Sequence, residues 1–152
     1  MKKRKVPRRL QQLVSERAHF CCEYCLSQEA YAPDPFSNEH IIAEVLGGPS
    51  TEDNLARACQ GCNNLKHIKL TGIDPVTLQE APLFHPRKDD WHEHFAWNQS
   101  LTELIGLTAK GRATVAELKL NRQNVVNLRV VMLLAEKHPP AHRSPQPRAS
   151  RG

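Results

Sequence analysis

The spacing of apolar residues predicts a helix towards each end of the chain. Residues 10–18 place three apolar side chains at helical spacing, namely Leu10, Leu13 and Val14. Residues 122–137 repeat the i, i+3, i+4 pattern over a longer span, at Val125, Leu128, Val131, Met132 and Ala135. Two successive prolines at 139–140 would end this second helix, because proline cannot continue the hydrogen-bonded ladder.

Local signals divide the region between these helices. Thr114-Val115-Ala116-Glu117 matches a capping box and predicts a helix from 115 to about 120, and Asn121 can cap the helix that follows. The apolar stretch 39–44 favours a strand that ends in a turn at Gly47-Gly48. A further helix is expected to open near Cys62 or Asn63. Residues 70–100, interrupted by prolines, are expected to form loops with short strands.

Composition indicates one small, polar domain. The chain has 152 residues, and only 5% of them are aromatic, so its core would benefit from a bound metal. No run of 18 apolar residues predicts a membrane span, and no apolar stretch follows the basic N-terminus as a secretory signal would require. We therefore expect a cytoplasmic, reducing setting, in which paired cysteines hold metal more often than they form disulfides.

The net charge of +5 is unevenly distributed along the chain. Residues 1–10 carry six Lys and Arg and residues 137–152 carry four, without any acid, whereas residues 11–136 have a net charge of −5. Basic ends could attract a polyanion through counterion release, which favours DNA as the partner. The alternatives are that the ends serve only solubility, or that residues 2–6 form a nuclear import signal. We expect a disordered basic arm over 1–9 and a disordered basic tail over 138–152.

Two C-x-x-C pairs predict a structural zinc site. Cys22 and Cys25 form the first pair, and Cys59 and Cys62 form the second after 33 intervening residues. Four thiolates would complete a tetrahedral shell and contribute to folding. The alternatives are free buried thiols and a redox dithiol. The fifth cysteine, Cys21, has C-x3-C spacing to Cys25 and is expected to be a spare packed thiol.

The residues bracketed by these pairs suggest a family. Glu39-His40, Gly47-Gly48, Asn54-Leu55 and Asn63-x-x-Lys66 occur in this order, and over roughly 17–69 the sequence resembles the HNH endonuclease family with a four-cysteine zinc site. The resemblance implies an α+β fold, the ββα-metal finger, as a nuclease core over 10–70. Residues 71–137 would form a family-specific extension that ends in a long helix.

The resemblance also implies a role for each of the bracketed residues. His40 would be the general base, a role that a neutral histidine can fill near pH 7, and Asn54 would orient its ring. Glu39 and Asn63 would ligate one divalent ion, Mg²⁺ or Mn²⁺, since these ions prefer oxygen ligands. Lys66 would contact the scissile phosphate. The implied activity is hydrolysis of DNA phosphodiester bonds, with double-stranded DNA as the expected substrate.

The rival interpretation is a zinc-stabilised module that binds nucleic acid without turnover. Such a module would share the cysteine site and the basic ends. It would not need Glu39, His40, Asn54 and Asn63 together, so their joint presence favours an enzyme. His67 is an alternative metal ligand that we rank below Asn63.

Three expectations concern the extension. Its aromatic residues Trp91, Phe95 and Trp97 should pack in the core, and the H-x-H pair His92 and His94 should pack beside them rather than bind metal. Arg87 and Lys88 are expected to touch the DNA backbone. The apolar stripe of the helix over 122–137 should pack on the finger, although it could instead form a dimer surface.

Overall fold

Helices alternate with short strands throughout residues 5–146, which the structure, a computed structural model, describes. The order is α1 (Arg8–Arg17), β1 (Ser37–His40), β2 (Leu55–Ala58), α2 (Gln60–Lys66), β3 (Thr71–Ile73), β4 (Glu80–Pro82), α3 (Trp91–His94), β5 (Phe95–Trp97), β6 (Leu104–Gly106), α4 (Ala109–Glu117) and α5 (Gln123–Leu134). The strands pair as three antiparallel hairpins, β1 with β2, β3 with β4 and β5 with β6. The predicted α+β class is confirmed.

The first hairpin and the helix after it form the ββα unit that positions the site. His40 pairs with Leu55, and Glu39 pairs with Ala56. Because successive strand residues point to opposite faces, the side chains of Glu39 and His40 leave β1 on different sides. Helix α2 packs against β1, and α1 packs against β2.

One hydrophobic core joins the finger to the extension. It contains three of the paired cysteines and Tyr24 of the finger together with Trp91, Phe95 and Leu118 of the extension. Phe84 packs edge-on against Phe95 with ring centroids 5.2 Å apart, a geometry that contributes about 0.5–1.5 kcal/mol beyond burial. The predicted core positions of Trp91, Phe95 and Trp97 are confirmed.

The predicted capping box at Thr114 is wrong. Helix α4 already begins at Ala109, where Thr108 caps it by accepting a hydrogen bond from the Gly111 amide at 3.1 Å. Thr114 is buried in the middle of the helix, where its hydroxyl donates to the Lys110 carbonyl at 2.7 Å and accepts from the Phe84 amide at 2.9 Å. The hydroxyl therefore links the helix to the extension's core.

The predicted cap at Asn121 is also wrong, and α5 is shorter than expected. The Asn121 side chain brackets Leu104, accepting from its amide at 2.7 Å and donating to its carbonyl at 2.9 Å. The buried face of α5 consists of Val125, Arg129 and Met132, whereas Val131 is 59% exposed. Val125 joins the common core and Arg129 donates to the Cys25 carbonyl, so the helix packs on the finger, but only part of the predicted apolar stripe is buried.

The strand predicted over 39–44 ends at His40. Beyond it, the Ile42 amide and carbonyl bond the Asn54 side chain, and residues 44–46 form a 3-10 turn that closes at Gly47 with φ +87°. Helix α2 opens at Gln60, earlier than predicted, because the sulfur of Cys59 accepts from the Cys62 amide at 3.4 Å and acts as the cap.

Both chain ends are more ordered than predicted within the described range. Arg8 and Arg9 belong to α1. Residues 138–143 fold back on the body, where the Trp97 indole donates to the Arg143 carbonyl at 2.8 Å and His142 stacks on His19 at 4.1 Å. The remainder of both predicted tails, residues 1–4 and 147–152, lies outside the described residues. Within residues 5–146 no helix has the length and apolar character needed to cross a membrane.

Candidate active site

The two C-x-x-C pairs converge on one cluster. The four sulfurs lie within 4.8 Å of one another, and those of Cys25 and Cys59 are 3.7 Å apart. Tetrahedral zinc with bonds of about 2.3 Å separates its thiolates by about 3.8 Å, whereas a disulfide needs about 2.05 Å. The donor set and its spacing are therefore compatible with a structural zinc ion and not with disulfides.

Both pairs use the same local turn to present their sulfurs. The Cys25 amide donates to the Cys22 sulfur at 3.5 Å, as the Cys62 amide does to the Cys59 sulfur. Burial raises the pKa of the Cys22 thiol well above its usual value. A bound cation supplies the charge that would keep such buried sulfurs ionised.

Cys21 lies outside this cluster. It is 3% exposed, and its thiol donates to the His19 carbonyl at 3.3 Å. Burial, as the main cause, raises its pKa to about 12. It is therefore a packed thiol, as the sequence predicted.

His40 ends β1 and is held through one ring nitrogen. Its Nε2 lies 2.8 Å from the Ser50 hydroxyl and 3.3 Å from Oε1 of Glu44. A carboxylate can only accept, so this arrangement favours the proton on Nε2 and leaves the lone pair on Nδ1. The side chain retains 16% exposure, so the ring borders solvent.

Asn54 bonds the loop after His40, and among the described residues no hydrogen bond joins its side chain to the ring that it was expected to orient. Its Oδ1 accepts from the Ile42 amide at 2.9 Å, and its Nδ2 donates to the carbonyls of Ile42 at 3.0 Å and Pro49 at 2.8 Å. A Cβ on Gly48 would lie 1.7 Å from the Ile42 carbonyl oxygen, so this close approach requires glycine. Asn54 thus fixes the backbone that follows His40.

Glu39 and Lys66 form a buried pair behind the hairpin. Lys66 Nζ lies 2.8 Å from Glu39 Oε1 and donates to the Ile41 carbonyl at 2.8 Å. The two side chains are only 4% and 2% exposed, respectively. This burial against Glu39 argues against the predicted phosphate contact of Lys66, which stays a prediction.

The Glu39 carboxylate is poorly satisfied in its buried position. Both of its oxygens are shut off from solvent, and neither has a well-directed hydrogen bond within the described residues, although Lys66 is close. Burial is the main cause that raises the pKa of Glu39, while the Lys66 charge opposes the shift. Lys66 compensates the charge at Oε1, whereas Oε2 has no partner among the described residues and could accept a metal ion at the edge of the cleft.

One cleft of roughly 380 Å³ gathers most of the predicted site. Glu39, His40 and Asn63 line it, together with Glu44 and His67. Asn63 lies on α2, and no hydrogen bond occupies its side-chain amide among residues 5–146. The structure thus brings two histidines, two carboxylates and an amide oxygen without a partner among the described residues to one concave surface.

Sequence reasoning missed both polar contacts of the His40 ring, Ser50 and Glu44, of which Glu44 lines the cleft. Ser50 lies ten residues from His40 in a polar loop, and no local pattern links them. Glu44 follows His40 by four residues, a spacing that would have suggested a contact only if the segment had been assigned to a helical turn rather than to a strand.

The basic residues of the extension divide into bound and free ones. Arg87 forms an ion pair with Glu23 and is largely buried, so it is not available to a DNA backbone. Lys88 is exposed and has no ion pair among the described residues. His94 hydrogen-bonds Thr108 at 2.7 Å and packs against Phe84, as predicted for the H-x-H pair.

Comparison with known proteins identifies the segment that carries this site. The family model for HNH endonuclease matches residues 22–69, which are 48 of the 152 residues. The match spans both cysteine pairs, His40, Asn54 and Asn63 and confirms the resemblance seen in the sequence. No curated protein and no solved structure gives a significant match to the chain.

Proposed function

We propose that this protein is a metal-dependent endonuclease that hydrolyses phosphodiester bonds of double-stranded DNA. Residues 22–69 are an HNH domain, and that family acts on nucleic acids. The observation that favours catalysis over binding alone is the cleft that His40 shares with Glu39 and Asn63. A binding module would not need a fixed histidine beside a buried carboxylate in one cleft.

His40 is the proposed general base, acting through Nδ1. Contacts from Ser50 and Glu44 hold Nε2, so Nδ1 is the nitrogen left to accept a proton from the attacking water. The Glu44 carboxylate would stabilise the positive charge that the ring acquires. Asn54 keeps the loop in place and so fixes the direction of the ring.

Glu39 and Asn63 are the proposed ligands of the divalent ion, with Mg²⁺ or Mn²⁺ favoured by their oxygen donors. Such an ion, when bound, would polarise the phosphate and stabilise the leaving oxygen. Until it binds, the ammonium of Lys66 supplies the nearby positive charge for Glu39. Lys66 is therefore a partner of the ligand rather than of the substrate.

The four cysteines are proposed to hold one structural zinc ion, with no open coordination position for chemistry. The basic ends, which carry ten of the 21 Lys and Arg, are proposed to supply non-specific attraction to DNA. A cytoplasmic setting stays a prediction, as do the domain boundaries at residues 70 and 137.

Cleavage of supercoiled plasmid DNA tests the proposal. Wild-type protein should nick the plasmid with Mg²⁺ or Mn²⁺ and not with EDTA. His40→Ala should reduce the rate by about 10²–10⁴-fold, the usual contribution of a general base, while retaining the wild-type zinc content and Tm. His92→Ala is the matched control. Because His92 lies outside the cleft, this variant should cleave DNA at the wild-type rate.

Two outcomes would contradict the assignment. Equal cutting by His40→Ala would remove His40 from the chemistry. DNA binding without cutting by the wild-type protein would favour the zinc-stabilised binding module.

A further inference from the structure

The guanidinium of Arg122, supplied by the extension, lies directly on the second cysteine pair. Its Nη2 is 3.5 Å from the Cys59 sulfur and 3.6 Å from the Cys62 sulfur, and its Nη1 is also 3.6 Å from the Cys62 sulfur. All three distances fall within the range of N–H···S hydrogen bonds. Arg122 thus contacts both sulfurs of one knuckle from outside the matched segment 22–69.

The side chain is anchored in this position by backbone carbonyls of the preceding turn. Nη1 donates to the carbonyls of Leu118 at 3.3 Å and Lys119 at 3.2 Å, in the turn between α4 and α5. This tether limits the freedom of a long side chain, so little further entropy is lost when the sulfur contacts form.

The knuckle has a residue that makes room for the guanidinium. Gly61 lies between the two cysteines, and a Cβ there would stand 2.6 Å from Arg122 Nη2. Any other residue at position 61 would therefore have to displace the guanidinium.

The electrostatic surroundings indicate that the cysteine sulfurs are the negatively charged partner of the Arg122 guanidinium. Among residues 5–146 no carboxylate lies within ion-pairing distance of it. Four thiolates around Zn²⁺ would carry a formal net charge of −2 in a largely buried cluster. A second arginine of the extension, Arg129, is buried and donates to the Cys25 carbonyl at 3.0 Å, so it meets the first knuckle at its backbone rather than at its sulfurs.

We propose that Arg122 stabilises the metal-bound form of the four-cysteine site and makes retention of the metal depend on the extension. The inference rests on the proposed zinc site. Charge-assisted hydrogen bonds to Cys59 and Cys62 partly neutralise the negative charge of the two thiolates and hold the sulfurs in position. Groups that bond metal ligands from outside commonly have this effect. The extension would then stabilise the finger by helping it to retain its metal, as well as by packing against it.

Zinc retention tests this inference separately from nuclease activity. Metal analysis of the wild-type protein should first give about one zinc per chain, and a zinc-free folded protein would refute the site itself. Zinc affinity and release to a chromogenic chelator are then compared for wild type, Arg122→Gln and Arg122→Lys. The Gln variant should bind zinc about 10–100-fold more weakly, and the Lys variant should fall between, because it keeps the charge but not the two-sulfur contact.

Arg112→Gln is the matched control. Arg112 also belongs to the extension and pairs with the buried Asp74 at 2.8 Å, but it makes no contact with the cysteines. It should lower Tm without changing zinc affinity. Cobalt-substituted protein adds a spectroscopic readout, since loss of hydrogen bonds to the sulfurs should shift the thiolate-to-cobalt absorption in Arg122→Gln, and to a smaller extent in Arg122→Lys, but not in Arg112→Gln.

The inference is overturned if Arg122→Gln matches wild type within twofold in zinc affinity and leaves the cobalt spectrum unchanged. If Arg122→Gln does not fold, Arg122→Lys decides by the same two readouts, and wild-type values in that variant would overturn the inference as well.

Discussion

Replacing Lys66 by methionine separates two accounts of this residue. If Lys66 contacts the substrate phosphate, Lys66→Met should leave the fold intact and slow cleavage. If its partner is Glu39, as the 2.8 Å separation and the near-complete burial of both side chains indicate, the variant should unfold more easily. Methionine keeps most of the length and volume, so the change removes mainly the charge and the donated hydrogen bond.

The magnitude follows from the carboxylate that is left behind. Removing one partner of a buried ion pair typically costs about 3–5 kcal/mol, because the other charge remains buried without compensation. For a chain of this size, that loss corresponds to a fall in Tm of about 6–20 °C. The double variant Glu39→Leu/Lys66→Met removes both charges and should recover most of the stability. The Ile41 carbonyl loses its Lys66 hydrogen bond in both proteins, so their difference isolates the charge.

Thermal unfolding of zinc-loaded protein, followed by circular dichroism, measures these differences. The Glu39→Leu single variant completes the cycle and gives the coupling energy of the pair. A Lys66→Met protein that keeps its Tm within 2 °C while losing cleavage would refute the pairing argument and restore the phosphate role. A double variant as unstable as the two single losses added together would show that the charges do not compensate one another.

Two further predictions concern the loop after β1 and the C-terminal segment. Asn54→Ala removes three hydrogen bonds to the loop and should cost about 2–4 kcal/mol by urea unfolding, with slower cleavage and unchanged zinc content; unchanged stability and rate would exclude the positioning role. Burial, with repulsion from His19 and Arg143, lowers the pKa of His142 to about 4 from an ordinary 6.5. The unfolded chain therefore binds a proton between about pH 6.5 and 4 that the folded chain does not, and this group's contribution to stability falls as pH falls through that window. The urea concentration at the unfolding midpoint should decrease from pH 7 to pH 5, and by more for wild type than for His142→Gln. Equal decreases in the two proteins would contradict the assignment.

The sequence predicted best where function depends on local spacing. Each C-x-x-C turn closes within four residues, so the pattern alone indicated two sulfurs per knuckle, and the structure adds only their convergence. The position of His40 on a hairpin and of Asn63 on a helix followed from the family resemblance. The common core could be anticipated in part, since bulky aromatic residues such as Trp91 and Phe95 rarely stay exposed.

The sequence was least informative where a side chain hydrogen-bonds a backbone group that is distant along the chain. Asn54 and Asn121 both bond the backbone of a segment at least 12 residues away, and no pattern in the sequence records these pairings. The capping box at Thr114 failed for the same reason, because the Phe84 amide, 30 residues away, competes for the hydroxyl. The burial of Lys66 was not anticipated, because helix lysines are usually solvated, whereas this one lies behind a strand whose buried residue is an acid.

The family match stops at residue 69, but these long-range contacts join the extension to the finger in one hydrophobic core. Leu118, Leu120 and Val125 join the cluster that contains the buried cysteines, so their removal would open the core beside the metal site. Arg122 and Arg129 approach the two knuckles from the same segment, one at the sulfurs and one at a carbonyl. A finger of about 50 residues buries little apolar surface and is only marginally stable by itself. Here α4, α5 and the turn between them supply both additional apolar side chains for the core and the two arginines beside the cysteines.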